Sequence, residues 1–213
     1  MTDSRLRLYV GTQRYSSWSL RPYLALAHTG AAFETVTIPL YRPDTKEQVA
    51  KISPSGRVPV LDHDGELIWD SLAICEYLSE LFPEASLWPA DRAQRARARS
   101  ISAEMHAGFP DLRNDMTMDL LASKPGVGHT PGALADARRV MAIWREALAA
   151  SGGPFLFGTF TTADAMFAPV TTRFTTYGVD LDPTCRAYVE AVQALPAFVA
   201  WKREAEAEAT RAE

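Results

Sequence analysis

The spacing of apolar residues changes character near residue 83. Before it, short β-rich runs alternate with helical ones. LRLYV (Leu6–Val10) has the β-branched and aromatic content of a strand. In SWSLRPYLALAHTG (Ser17–Gly30), Leu20, Tyr23, Leu24 and Ala27 have helical spacing, and Gly30 is placed to end the helix. Pro22 lies in its first turn or just past it, where a missing N–H costs little. ETVTIPL (Glu34–Leu40) is a second strand, and PDTKEQVAKIS (Pro43–Ser53) is a short helix. VPVLDHDGELIWD (Val58–Asp70) reads as a hairpin turning at Asp64–Gly65. DSLAICEYLSELFP (Asp70–Pro83) is a helix with Asp70 as N-cap and Pro83 as its stop.

Beyond residue 83 the pattern becomes helical throughout. PEASLWPADRAQ (Pro83–Gln94), with two prolines in a polar stretch, marks a linker over 83–91. From Arg92 to Leu121, Ala98, Ile101, Met105, Phe109, Leu112, Met116 and Leu120 form one face of a long helix kinked at Pro110. SKPGVGHTPG (Ser123–Gly132) is a loop, and Ala133–Ala150 is helical again. TTADAMFAPVTTRF (Thr161–Phe174) begins with a capping-box pattern, Thr161-x-x-Asp164. Two short helices, near 184–194 and 196–208, finish the chain. The expectation is an α/β unit over 1–82 in β-α-β-α-β-β-α order, the order of the thioredoxin-like fold, followed by an all-helical bundle domain over 92–213.

Composition and charge remove several function classes. The chain has 213 residues, 47% hydrophobic and 23% charged, enough to bury a sizeable core. Its net charge of −4 is spread over 22 basic and 26 acidic residues with no basic stripe, which argues against nucleic acid. The tail KREAEAEATRAE (Lys202–Glu213) reads as a solvated, fraying helix end. No window approaches the roughly 18 apolar residues of a membrane span, and MTDSRLRLYV has no signal-peptide core, so a cytoplasmic location is expected. Cys75 and Cys185 are expected to be buried free thiols. No His or Cys spacing suits a metal, and no Gly-x-Ser-x-Gly elbow or glycine-rich phosphate loop occurs.

Four places can carry chemistry. Pro59 sits inside an apparent strand, where proline cannot donate to a ladder. It is either an edge proline or part of a cis Val58–Pro59 bond that offers the Val58 backbone to an extended ligand. Asp70–Ser71 opens a helix, whose free N–H groups suit a carboxylate while Asp70 suits an ammonium; plain capping is the alternative. The loop Tyr15-Ser16-Ser17-Trp18-Ser19 lies where α/β folds place ligands. It holds Ser16-x-x-Ser19 where redox relatives of the fold hold two cysteines, so protein-thiol exchange is excluded there. A serine hydroxyl can still donate to a ligand thiolate and, with the helix N-terminus, lower its pKa; one serine is expected to cap the helix. Finally, EMHAGFPDLRNDM (Glu104–Met116) interleaves His106, Arg113 and Asn114 with an apolar stripe. Met105, Phe109 and Met116 could line an apolar pocket or simply be core.

In this order and spacing, SPSGRVPVL (Ser53–Leu61), DSLAICEYL (Asp70–Leu78) and the serine loop YSSWSLR resemble the cytosolic glutathione transferase superfamily over essentially the whole chain. The serine loop is similar to bacterial, serine-type, zeta-like members. TTADAMFAPV looks like the family's structural capping box. The resemblance implies that Val58, beside a cis Pro59, holds the cysteinyl part of glutathione, and that Asp70 and Ser71 hold its γ-glutamyl group. Arg57 or Lys46 would meet its glycyl carboxylate. Ser16, then Ser17, would stabilise the thiolate. Met105, His106, Phe109 and Arg113 would line the pocket of a small, apolar electrophile.

The implied enzyme is a glutathione S-transferase of detoxification type, a cytoplasmic homodimer with glutathione as co-substrate and no metal or redox cofactor. A glutathione-dependent isomerase, dehalogenase or peroxidase, or a non-catalytic binding module, are the alternatives. Zeta-like members carry Ser-Ser-Cys-x-Trp. Placing Trp18 on that Trp puts Ser16 on the Cys and Arg14 and Tyr15 on the two serines. If that Cys is needed for the isomerase chemistry, its absence argues against a maleylacetoacetate isomerase.

Overall fold

The computed structural model describes residues 5–212. Residues 1–4 and 213, which the sequence reading assigns to the first unit and to the tail, lie outside the described residues. Strand β1 (Leu6–Gly11) is followed by α1 (Ser17–His28), β2 (Glu34–Ile38), α2 (Thr45–Ala50), β3 (Val60–His63), β4 (Glu66–Trp69) and α3 (Ser71–Leu81). The expected order is therefore present. The sheet order is β2-β1-β3-β4, with β1 parallel to β2 and antiparallel to β3. Leu6, Leu8 and Val10 alternate into the core from β1. The β3–β4 turn takes positive φ at Asp64 (52°) and Gly65 (95°), as a two-residue hairpin requires.

A short 3₁₀ turn (Pro83–Ala85) leads into α4 (Arg92–Ala107), α5 (Pro110–Asp115), α6 (Pro131–Ser151), α7 (Thr162–Tyr177), α8 (Pro183–Gln193) and α9 (Pro196–Ala212). The expected kinked helix over 92–121 is two helices instead. Gly108 leaves helical φ/ψ, and a Cβ there would lie 2.7 Å from the Glu104 carbonyl oxygen. Phe109, before Pro110, is pushed out of the right-handed region and takes φ 63°. The chain leaves α5 at Met116, so residues 117–121 are free to approach the first unit.

Helix α7 is the hub of the second half, buried along almost its whole length and packed on α1 and α4. Its capping box forms as the sequence predicts. The Asp164 carboxylate accepts from Thr161 N–H, Thr161 Oγ1, Leu156 N–H and the Tyr188 hydroxyl. Helix α1 thus lies between the sheet unit and α7, and its N-terminal end opens at the junction of the two. Cys75 and Cys185 are both buried and free. Burial pushes the Cys75 thiol up to about 12.

Candidate active site

Two adjoining clefts open at this junction. One, about 500 Å³, is lined by Ser55, Arg57, Val58, Pro59, Trp69, Asp70, Ser71, His106 and Trp18. The other, about 770 Å³, shares Trp18, Arg57 and Val58 and adds Ser16, Ser17, Lys46, Arg113, Asp119, Lys124 and Arg173 among others. The Val58–Pro59 bond is cis. Ser53 orients the approach to it: its Oγ donates to Arg57 O (2.6 Å) and accepts from Arg57 N–H (3.1 Å).

Asp70 is the N-cap of α3, and its Oδ1 accepts from Leu72 N–H (2.9 Å) and Ala73 N–H (3.3 Å). Its backbone sits at φ 75°, ψ 134°, a conformation that costs an L-residue free energy and is kept where surroundings over-determine it. The other carboxylate oxygen is 3.3 Å from His106 Nε2. Ser71 is buried, and its Oγ has no partner among the described residues. Burial holds the His106 imidazole below its usual range despite Asp70, and Arg21 and Arg113 add to the lowering. His106 is therefore a neutral neighbour of Asp70 at neutral pH, edge-on to Trp18 at 5.2 Å.

The serine loop stands at the N-terminus of α1. Ser16 is the N-cap residue, yet no side chain caps this helix, contrary to the sequence expectation. Ser17 N–H donates to Tyr15 O (3.0 Å), and among the described residues no side chain takes the first-turn N–H groups that follow it. Ser16 Oγ donates instead to Ser19 Oγ (2.7 Å), which also accepts Gly11 N–H (3.1 Å). Ser17, one residue on, is buried and lines the same cleft. Arg14 holds the loop to the helical half through Asp119 (2.6 and 3.1 Å), and Leu120 N–H donates to Arg14 O (3.2 Å). Burial pushes Asp119 up, but the Arg14 bonds outweigh it and hold the carboxyl below its usual range.

The wall from the helical half is cationic. Among the described residues Arg113 and Arg173 make no ion pair with a carboxylate: Arg113 donates to the carbonyls of Met105 and Gly108, and Arg173 to that of Met116. Arg21 is fully buried beneath Trp18, its guanidinium carbon 4.4 Å from the ring centroid, and its Nε and Nη1 have no hydrogen-bond partner among the described residues. Arg113 lies 4.9 Å from the same ring. Burial lowers the pKa of Arg21, and the nearby Arg113 and Arg173 lower it further.

Of the residues singled out by sequence, Arg57, Val58, Pro59, Asp70, Ser71, His106, Ser16, Ser17, Lys46 and Arg113 line the two clefts. Met105 and Phe109 do not. Both are buried in the core, Met105 on the same face of α4 as Ala98 and Ile101. His106 reaches the α3 end of the site rather than the larger cleft. Sequence reasoning missed Trp18 as a wall, and also Trp69, Lys124 and Arg173. Arg173 carried a weak signal: the one basic residue of a helix whose other charge is the Asp164 of its capping box.

The glutathione S-transferase N-terminal domain family matches residues 15–81, and the C-terminal domain family matches 92–201. The chain belongs to the glutathione S-transferase family. It is 30% identical to a probable maleylacetoacetate isomerase of Caenorhabditis elegans over 94% of both chains. It is 29% identical to a maleylacetoacetate isomerase of Pseudomonas aeruginosa, over 91% of this chain and 93% of that one. A glutathione transferase homologue from Burkholderia gl BGR1, solved with bound glutathione, superposes with a TM-score of 0.73 at 27% identity, covering 95% of this chain and 98% of that one. This transferase-family enzyme thus combines the thioredoxin-like and helical units of its family. Among the described residues no helix is long and apolar enough to cross a membrane, and no group of three or more His, Cys, Asp or Glu could hold a metal ion.

Proposed function

We propose that this transferase binds glutathione across the two clefts, activates its thiol and adds the thiolate to a small electrophile. The observation that carries the reading is the convergence of Val58 beside its cis Pro59, the Asp70–Ser71 helix end and the α1 N-terminus, which no side chain caps, around two adjoining clefts. Val58 pairs with the cysteinyl backbone. Asp70 takes the γ-glutamyl ammonium, and Ser71 with the α3 N-terminus takes its carboxylate. Arg57, or Lys46 across the larger cleft, meets the glycyl carboxylate.

The thiolate sits at the open end of α1. A rotation of the paired Ser16 and Ser19 hydroxyls lets Ser19 donate to Ser16 and Ser16 donate to sulfur. Both the hydroxyl and the helix end favour the charged thiol and lower its pKa. Ser16→Ala is expected to raise the bound-thiol pKa by about one unit, a difference of roughly 1.4 kcal/mol. Ser17→Ala is expected to move it less. A larger rise in Ser17→Ala, read by thiolate absorbance against pH, reverses the assignment.

The electrophile carries a carboxylate, because Arg113, Arg173 and Lys124 face the larger cleft against the single acid Asp119. The sequence reading expects a small, apolar electrophile; the cationic side of the larger cleft favours an acidic one. A glutathione-dependent isomerisation of an unsaturated acid is the second reading, favoured by the same cationic wall and by the names of the two relatives. The enzyme works as a cytoplasmic homodimer in detoxification, with residues 83–91 as the linker between its domains; free, buried Cys75 and Cys185 fit a reducing compartment. Calorimetric titration tests the core of the proposal. Glutathione is expected to bind, and the dipeptide Cys-Gly, which lacks the γ-glutamyl group, to bind at least about 10-fold more weakly. Equal binding removes Asp70 and Ser71 from the site.

A further inference from the structure

The serine loop is held from the far end of the chain. Gln13, buried between β1 and the serines, spends both of its backbone groups on α9. Its N–H donates to Glu208 Oε2 (2.8 Å), and its carbonyl accepts from Trp201 Nε1 (3.0 Å). Trp201 and Glu208 are two turns apart on one helix face, and their long side chains converge on a single residue. Trp201 is itself fully buried, its ring centroid 4.8 Å from that of Tyr23 on α1.

Gln13 is the fixed point of the turn that sets Ser16. Thr12 O, on one side, accepts the N–H groups of Tyr15 (3.0 Å) and Ser16 (2.9 Å). Arg14, on the other, is tied to Asp119 and Leu120. The α9 contacts do not come free. Glu208 Oε1 is buried with no hydrogen-bond partner among the described residues, and burial raises the carboxyl pKa against the pull of the Gln13 N–H, Arg211 and Thr37. A half-satisfied carboxylate is a poor choice for stability alone.

We infer that α9 is the positioning element of the thiolate site, with Glu208 and Trp201 fixing Gln13 and thereby the Ser16 hydroxyl and the α1 N-terminus. Neither residue touches glutathione. The groups proposed to bind its ends, Val58, Asp70 and Ser71, lie on other elements. A loosened Gln13 therefore degrades thiolate stabilisation while leaving affinity in place, since catalytic groups are sensitive to small misplacements in a way that distributed binding contacts are not.

The inference rests on the proposed glutathione site, and the test separates the two. In the full chain, Glu208→Ala, Glu208→Gln and Trp201→Phe are compared with the unaltered protein. Bound-thiol pKa is read by thiolate absorbance, and glutathione affinity by calorimetry. Glu208→Ala and Trp201→Phe are expected to raise the thiol pKa by about half a unit to one unit, with the dissociation constant within about twofold of its original value. Glu208→Gln, whose amide oxygen still accepts Gln13 N–H, is expected to restore most of the shift. A folded Glu208→Ala protein with unchanged thiol pKa overturns the inference, as does one that loses affinity alone. Should Glu208→Ala not fold, an unchanged pKa in Trp201→Phe overturns it equally. An unaltered protein that binds no glutathione defeats the proposed function itself.

Discussion

Asp164→Ala is expected to destabilise the fold by about 3–5 kcal/mol. One carboxylate accepts from four donors: two backbone N–H groups, the Thr161 hydroxyl and the Tyr188 hydroxyl. Removing it leaves these donors buried without partners and takes the cap from α7. Helix α7 carries the packing of α1 and α4, so the loss reaches both halves. The pH dependence has a defined sign. Burial pushes Asp164 up to about 6, against the pull of the four donors. A folded-state pKa above the unfolded one means this group's contribution is full below about pH 4 and is lost as pH rises through about 6. Asp164→Asn removes that titration. Chemical denaturation from pH 4 to 7 should therefore show the stability gap between the parent and the Asn variant narrowing as pH rises. A Tm for Asp164→Ala within a few degrees of the parent contradicts the central place given to this network.

Asp70→Ala is expected to weaken glutathione binding by about 10- to 100-fold, the worth of a charge-assisted hydrogen bond of roughly 1.5–3 kcal/mol. Part of the change is structural, since the same side chain caps α3 through Leu72 and Ala73. Loss of a cap costs about 1 kcal/mol of stability. Asp70→Asn separates the two roles: it keeps an acceptor for the cap and removes the charge offered to the γ-glutamyl ammonium. Stability close to the parent with affinity reduced at least about 10-fold is the expected result for Asn, measured by thermal melts and calorimetry. Undiminished affinity in both variants removes the carboxylate from the site.

The sequence predicts the local structure well where the signal is local. Strand alternation in Leu6–Val10, the Asp64–Gly65 turn, the Asp70 cap and the Thr161-x-x-Asp164 box each depend on a few adjacent residues, and each is present. The misses are non-local. Apolar spacing continues through Gly108–Phe109–Pro110, so periodicity alone reads one helix where backbone sterics break it into two. Met105 and Phe109 are core residues on either side of that break, and the chain leaving α5 brings Asp119 to Arg14. The ties from Trp201 and Glu208 to Gln13 span 188 and 195 residues, and no pattern along the chain announces them. The cationic wall is likewise assembled from α5, the following loop and α7, each with a single unremarkable basic residue.

The central claim is that this site turns a bound thiol into a thiolate. A pH titration of thiolate absorbance, with glutathione bound to the purified full chain, tests it most directly. The bound thiol is expected to titrate at least about one pKa unit below the free thiol. A bound thiol that titrates with the pKa of free glutathione contradicts it.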